Sequence, residues 1–513
     1  MESYFQYRRI QKAVRQQLSE VKQNCTCIDY TVGCSHDSSC KLNVHSNDRK
    51  DLEKQPPTEV ATPDTLILVG WDGKDDPLNP ANQSVKRKLF MTFLVSLIAL
   101  AVTAASAIDA CGVREYSEYF QISEVVGSLA TGLFLIGFAC GSLLSGPFSE
   151  TFGRNAIYLI TMLIFLIFVM ASGLAPNLQS HLVFRFFAGF FASTPLSCAG
   201  GTVADLWNPV EKAYAFPLYA IPAFTGPMIG QIIGSYIPTT LGWRWLEWIM
   251  LILGGLVLVV VLIFQPETYG NLLLLWKAKT LREETGDKRY RAPMEMKRES
   301  LGQRLRISVS RPFAMFYSEL IIILMSLYLT IMYIVLFTFL EGYTYIFGEA
   351  YGISEGLTSL CWAGMLIGTI LPVCVVPIVY NWTVKEYKRG NDSFIAPEMR
   401  LWYAMLGGAP AVPISLFWMG WTSNPSISIW SPLVASVFFG YASALGFLVF
   451  TRYVVAGGVT VAGGPIYEAI GVQYTLTILG SISAVMTCVP YLLYIYGPQI
   501  RKHSKYAVNI TRT

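Results

Sequence analysis

The chain has 513 residues, of which 53% are hydrophobic, 13% aromatic and only 14% charged, with a formal net charge of +4. Soluble domains carry about 25% charged residues, so an ordinary soluble globular protein is excluded. A nucleic-acid binder is excluded as well, because no basic patch interleaved with aromatics occurs. The apolar residues gather in long uninterrupted runs, the pattern of membrane-spanning helices.

Residues 1–88 form the only long polar segment. Its first residues are polar and helix-prone and contain no apolar core of a signal peptide. Cys25, Cys27, Cys34 and Cys40 lie there with His36 and His45. Their spacing fits no standard pair of zinc knuckles, so no metal is expected and the segment reads as a mostly disordered cytosolic tail. Prolines and aspartates break the stretch Trp71 to Lys88, whose basic end abuts the first apolar run.

Spans are expected at residues 89–110, 124–145, 156–174, 181–203, 213–236 and 245–264, then at 316–340, 353–379, 401–421 and 474–496. An apolar tract at 428–466 lies between the last two. It is too long for one span and barely long enough for two. The domain reading is a tail (1–88), a six-helix half (89–265), a middle loop (266–314), a second half (315–496) and a C-terminal tail (497–513).

Lysine and arginine set the orientation. Lys86, Arg87 and Lys88 precede span 1, Arg154 follows span 2, and the middle loop is rich in both residues. Arg501, Lys502 and Lys505 follow the last span. The opposite loops at 111–123, 175–180 and 341–352 hold only Arg114. Both termini are therefore expected in the cytosol, and the glycosylation-type triplets at Asn24, Asn82, Asn381, Asn391 and Asn509 are expected to stay unused. Two groups of spans about a basic cytosolic loop form a two-half transporter pattern. Neither the re-entrant segment nor the charged ring of a channel is present.

Between spans 2 and 3 the sequence reads GPFSETFGRN, Gly146 to Asn155. Glu150 and Arg154 stand four residues apart between Gly146 and Gly153, and the glycines permit a tight turn. This stretch resembles the loop 2–3 signature of the major facilitator superfamily, with Glu150 where that family usually has Asp. The resemblance implies an all-α membrane protein of two six-helix halves around a central cavity. It also implies that the acid and base hold the two halves together on the cytosolic side and separate on switching.

Span 4 carries HLVFRFFAGFFAS. Arg185, with Ala188, Gly189 and Ala192 on one face, resembles the family's span 4 signature. A buried arginine is expensive unless it faces a cavity or a partner; the alternative is that it snorkels to the outer surface. His181 reads as an interfacial residue. Span 5 carries TGPMIGQIIG, in which Gly226, Gly230 and Gly234 share a face and Pro227 adds a kink. This resembles the signature of the antiporter branch, which implies packing against the other half.

LGWRWLEW (241–248), QPETY (265–269), WDGKDDPLNP and YGPQIR narrow the likeness to the fungal drug:proton antiporters with twelve spans, over residues 68–505. It departs at Gln83, where that family usually has Trp. Acidic candidates for proton coupling are Asp109, Glu124, Asp205, Glu247 and Glu341, of which Asp109 and Glu247 stand at the outer ends of spans 1 and 6. Asp205 reads as a cap at the cytosolic end of span 4. Arg452 is the best-embedded charge of the second half and resembles the arginine of the family's span 11. Aromatics such as Phe184, Phe190, Tyr219, Phe224, Tyr328 and Trp362 could line a soft cavity.

Within 428–466 the family has the end of span 10, an acidic link and span 11. Here about twenty residues, one span's worth, look lost, so a shortened span 10 ending near Gly440 is expected, or a defect in the gene. The leading function is a proton-coupled exporter of small hydrophobic or cationic compounds in the plasma membrane. It is expected to work as a monomer, with no cofactor beyond the proton gradient. The alternatives are an importer of the same fold and a non-transporting remnant. A membrane enzyme lacks support, since no histidines pair at ligand spacing, and no phosphate-binding loop for ATP occurs.

Overall fold

The computed structural model describes residues 1–28, 66–73, 75–296, 301–389, 402, 405, 408–444, 463 and 465–502. Among these, eight helices are long and apolar enough to cross a membrane. In lipid every backbone N–H and C=O must be satisfied within its own segment, which is why apolar runs of this length become helices.

The chain opens with α1 (Glu2–Ile28). The first half follows: α2 (Val85–Ala107), α3 (Val113–Phe120), α4 (Glu124–Gly127), α5 (Leu129–Phe152), α6 (Arg154–Gly173), α7 (Leu178–Leu206), α8 (Lys212–Gly234), α9 (Ile237–Leu241) and α10 (Arg244–Phe264). A 3₁₀ turn, Ile108–Gly112, joins α2 to α3. The middle segment holds α11 (Gly270–Thr285) and α12 (Leu301–Ser318). The second half holds α13 (Leu320–Tyr343), α14 (Glu355–Leu360), α15 (Trp362–Ile370), α16 (Pro372–Arg389), α17 (Ala409–Thr422), α18 (Trp430–Ala444) and α19 (Val472–Lys502). Two short strands, β1 (Ile67–Leu68) and β2 (Tyr290–Arg291), pair in parallel and tie the pre-span segment to the middle segment.

The start of the polar tail is ordered helix. Ile10 and Val14 of α1 are buried against Leu273 of α11, with Leu18, Trp71 and Trp276 packed around them. An apolar stripe at i and i+4 explains the docking. The cysteine cluster's Cys34 and Cys40 lie outside the described residues.

The expected ten-residue loop between spans 2 and 3 is also mostly helix. α5 runs on through Phe152, and α6 begins at Arg154. The turn is Gly153 alone, at φ 92°. A Cβ there would meet the Glu267 carboxylate and the Leu272 side chain, so only glycine fits.

Glycines set the tightest helix contacts. A Cβ at Gly137 or Gly141 would strike the backbone oxygens of Phe186 and Phe190, and one at Gly189 that of Phe134, so α5 and α7 touch backbone to backbone. The second half repeats the device: a Cβ at Gly368 would meet the Val437 oxygen, and one at Gly440 the Met365 oxygen, between α15 and α18. Spans 2 and 4 thus have counterparts in spans 8 and 10, an internal repeat of the kind transporters are built from. Helix α18 runs through Gly440 to Ala444, the last described residue of this stretch. Residues 445–462, including Arg452, lie outside the described residues.

The span 5 motif is corrected in its partner. Cβ atoms added at Gly226, Gly230 and Gly234 would meet Thr103, Ala104 and Cys111, all from span 1 and its end in the same half. Helix α8 also contacts α15 and α16 of the other half.

Candidate functional site: a buried charge cluster and a clasp

Arg185 is fully buried, not snorkelled. The guanidinium Nε lies 3.5 Å from Asp109 Oδ2, at the end of span 1, and Nη1 lies 3.4 Å from Glu247 Oε1, in the first turn of α10. Nη2 donates to the Ala105 carbonyl at 3.0 Å, and the Phe134 ring lies 4.7 Å beneath the guanidinium. Asp109 and Glu247 are each 1% exposed, so neither is a solvated interface charge. Three charged groups removed from water are tolerated because they neutralise one another in part. The sequence marks Asp109 and Glu247 at span ends and Arg185 within span 4, yet could not bring them together, because they lie on different spans.

His181 corrects the reading most. It is fully buried, and its Nε2 lies 3.6 Å from Asp109 Oδ2. The signal was present: His181 and Arg185 are four apart and share a helix face. Ser172, at the end of α6, donates to Glu247 Oε1 at 3.0 Å and lies 3.0 Å from His181 Nδ1. Asp109, His181 and Glu247 offer ligand atoms within 4.8 Å of one another. Arg185 already sits against both carboxylates, however, so the donor set is that of an ion cluster, not of a metal centre.

At the other end of the same half lies the clasp. Arg154 Nε pairs with Asp205 Oδ2 at 3.2 Å, and Nη1 donates to Ser149 Oγ. Asp205 is thus an ion-pair partner instead of a helix cap. Glu150, the acid the resemblance singled out, is exposed. Glu267 of QPETY is a further residue of this end, one that its own stretch of sequence does not mark as a site. Its Oε1 accepts the N–H of Arg154 at 3.0 Å and those of Thr268 and Tyr269 at 2.9 Å, and Oε2 accepts that of Asn155 at 3.2 Å. It caps the start of α6 from a distant turn, a role that Asp or Glu fills well at a helix N-terminus. Burial raises the Glu267 carboxyl above the usual range, against the pull of these four backbone donors.

Two polar clusters thus stand at opposite ends of the first half's long apolar helices, and comparison decides the family. The profile of the Major Facilitator Superfamily matches residues 87–472. The chain belongs to the Major Facilitator Superfamily. The "MFS-type transporter kojT" of Aspergillus flavus is 46% identical over 467 residues, covering 86% of this chain and 83% of that one. The "Citrinin biosynthesis cluster MFS transporter mrr1" of Monascus ruber is 32% identical over 92% of this chain and 98% of the relative. Among solved structures, the proton:xylose symporter XylE superposes with a TM-score of 0.52 at 16% identity, over 80% of this chain and 96% of XylE, a likeness of fold alone. The protein is therefore a multi-pass membrane transporter with the major facilitator fold.

The second half has a neutral counterpart to the charge cluster. Gly440 matches Gly189 in the repeat, so Ser436, one turn earlier, occupies the place of Arg185. Ser436 is fully buried, and Tyr343 stands at the end of α13, the place of Asp109. Tyr343 also stacks on Trp362, with centroids 4.0 Å apart.

Proposed function

We propose that the protein is a proton-coupled antiporter that exports small hydrophobic or cationic organic compounds by alternating access. In this reading it works as a monomer in the plasma membrane, with both termini in the cytosol. The observation that carries it is the arginine at position 185, sealed inside the spans between Asp109 and Glu247. Charges inside membrane spans are costly and serve ion or substrate pathways, and two carboxylates against one guanidinium leave the cluster able to take a proton. Relatives named for biosynthesis clusters, such as the citrinin-cluster transporter, support export of organic metabolites over uptake. Driving force comes from the proton gradient, and no cofactor is required.

The test is transport by the full chain in proteoliposomes with an acidic lumen. The probes are rhodamine 6G, a permanently charged flat cation, and citrinin. Outward proton flow is expected to drive accumulation of at least one probe above protein-free vesicles, and an ionophore that dissipates the pH difference should abolish it. Arg185→Ala should lose gradient-driven accumulation, since breaking a buried pair costs about 3–5 kcal/mol. Arg185→Lys, monitored by gel filtration, separates loss of charge from loss of fold. Accumulation only when the lumen is alkaline would reverse the direction to symport and sink the proposal.

A further inference from the structure

The pairing of Arg185 with two carboxylates does not need His181, yet His181 is packed into the middle of the cluster. Its Nε2 faces Asp109, and its Nδ1 reaches Ser172, whose hydroxyl donates to Glu247. Imidazole and hydroxyl together close a polar path from one carboxylate to the other. The rings of Tyr116 and Trp243 wall it in, with centroids 5.7 and 5.4 Å away. The Tyr116 hydroxyl is committed to the Gly127 carbonyl at 2.9 Å. The titratable and charged groups around the imidazole are therefore Asp109 from the turn after α2, Glu247 from α10, Arg185 from its own helix, and Tyr116 from α3.

Charge counting singles out the imidazole. Two carboxylates and one guanidinium sum to −1 when His181 is uncharged, and to zero when it carries a proton. A net charge sealed from water is unfavourable, so the cluster has room for one proton. Both oxygens of Asp109, Oε2 of Glu247 and Nε2 of His181 lack a hydrogen-bond partner, which leaves acceptors facing one another across a few ångströms. The matching place in the second half, Ser436 with Tyr343, carries no formal charge.

We infer that His181 is the proton-carrying member of the cluster, and that the cluster exchanges one proton in each transport cycle. This rests on the antiport reading above. The proton arrives from the aqueous phase at this end of the half and binds the imidazole at Nε2, where it faces Asp109. It leaves from the same nitrogen to the opposite phase after the halves have moved. The only bond made and broken is that N–H bond.

The experiment uses the full chain in lipid nanodiscs with ¹⁵N-labelled histidine. Four histidines are present, so the His181 signals are those missing in His181→Gln. Should that variant fail to fold, Trp243→Phe identifies them through the lost ring-current shift. Both ring nitrogens of His181 are expected to shift together as the cluster takes up its proton on lowering the pH. In Glu247→Gln the cluster sums to zero with the imidazole uncharged, so that shift should be lost; Asp109→Asn gives the same charge sum. A fixed protonation state in the unmodified protein, or an unchanged titration in both variants, overturns the inference. Rhodamine 6G accumulation in proteoliposomes separates the two readings. If the unmodified protein ignores the pH gradient, the antiport reading fails and this inference with it. If the gradient drives accumulation while His181 does not titrate, this inference alone fails.

Discussion

Arg154 and Glu267 show how single side chains organise one end of the first half. The guanidinium reaches Asp205 on α7 while its own backbone N–H is held by Glu267, so three separated stretches meet at one residue. Glu267→Ala leaves buried N–H groups at the start of α6 without acceptors, at a cost of about 1–3 kcal/mol. A lowered midpoint in thermal unfolding, followed by tryptophan fluorescence, is the expected result. Asp205→Asn removes the charge that Arg154 faces and should weaken the clasp by about 1–2 kcal/mol, the value for a charged hydrogen bond discounted for partial exposure. Glu150→Gln, in contrast, alters an exposed residue and should change stability by less than about 0.5 kcal/mol. Equal losses for Glu150→Gln and Asp205→Asn would restore Glu150 as the clasping acid. A motif can mark the right turn and still misname the partner, because the acid that pairs with Arg154 comes from a helix some fifty positions away, at Asp205.

At the scale of elements, helix α1 and the glycine face of α8 matter most. Gln6 of α1 exchanges two hydrogen bonds with the backbone of Glu267, at 3.0 and 2.9 Å. Arg87 at the start of α2 donates to Glu2 at 3.0 Å, and Arg15 pairs with Glu284 of α11 at 2.7 Å. The N-terminal helix is thus strapped to the turn that caps α6 and to the middle segment. Ile10→Ala opens a cavity in that small core, worth about 2–5 kcal/mol when fully buried, and should make residues 1–28 sensitive to protease while the spans stay intact. Protection equal to that of the unmodified chain would show that the polar contacts alone hold the helix. On α8, Gly230 faces the Ala104 carbonyl so closely that any side chain displaces span 1. Gly230→Leu should cost about 1–3 kcal/mol or more through overpacking, seen as reduced yield of monodisperse protein.

At the scale of the molecule, the described charges are unevenly shared. The first half holds Asp109, His181, Arg185 and Glu247 sealed among its spans. Among the described residues of the second half, the buried polar groups within the spans are hydroxyls, such as Thr369, Ser415 and Ser436, with Glu319 just before α13. Among the described residues, the buried charges within the spans are thus concentrated in the first half. The tract 428–466 bears on whether the second half is whole. Sequencing of the expressed transcript across codons 428–466 is expected to match this chain if α18 truly serves as a short span 10. A message with about twenty more codons, a full span, would instead give a twelve-span protein and assign the shortening to the gene model.

The sequence by itself determined the class, the orientation signals, the span positions of the first half and the residues worth watching. These are properties of composition and of contiguous runs: apolar length decides a span, lysine and arginine bias the loops, and local motifs mark turns and close helix contacts. Only the tertiary structure decided which marked residues meet. It joined Asp109, His181, Arg185 and Glu247 from three spans. It moved the clasp from Glu150 to Asp205 and Glu267, turned the span 5 glycines toward span 1, and docked a polar N-terminal helix. The physical reason is that spans apolar all round carry too weak a periodicity to show which face looks inward. The pairing of charges from distant helices is therefore set by packing alone.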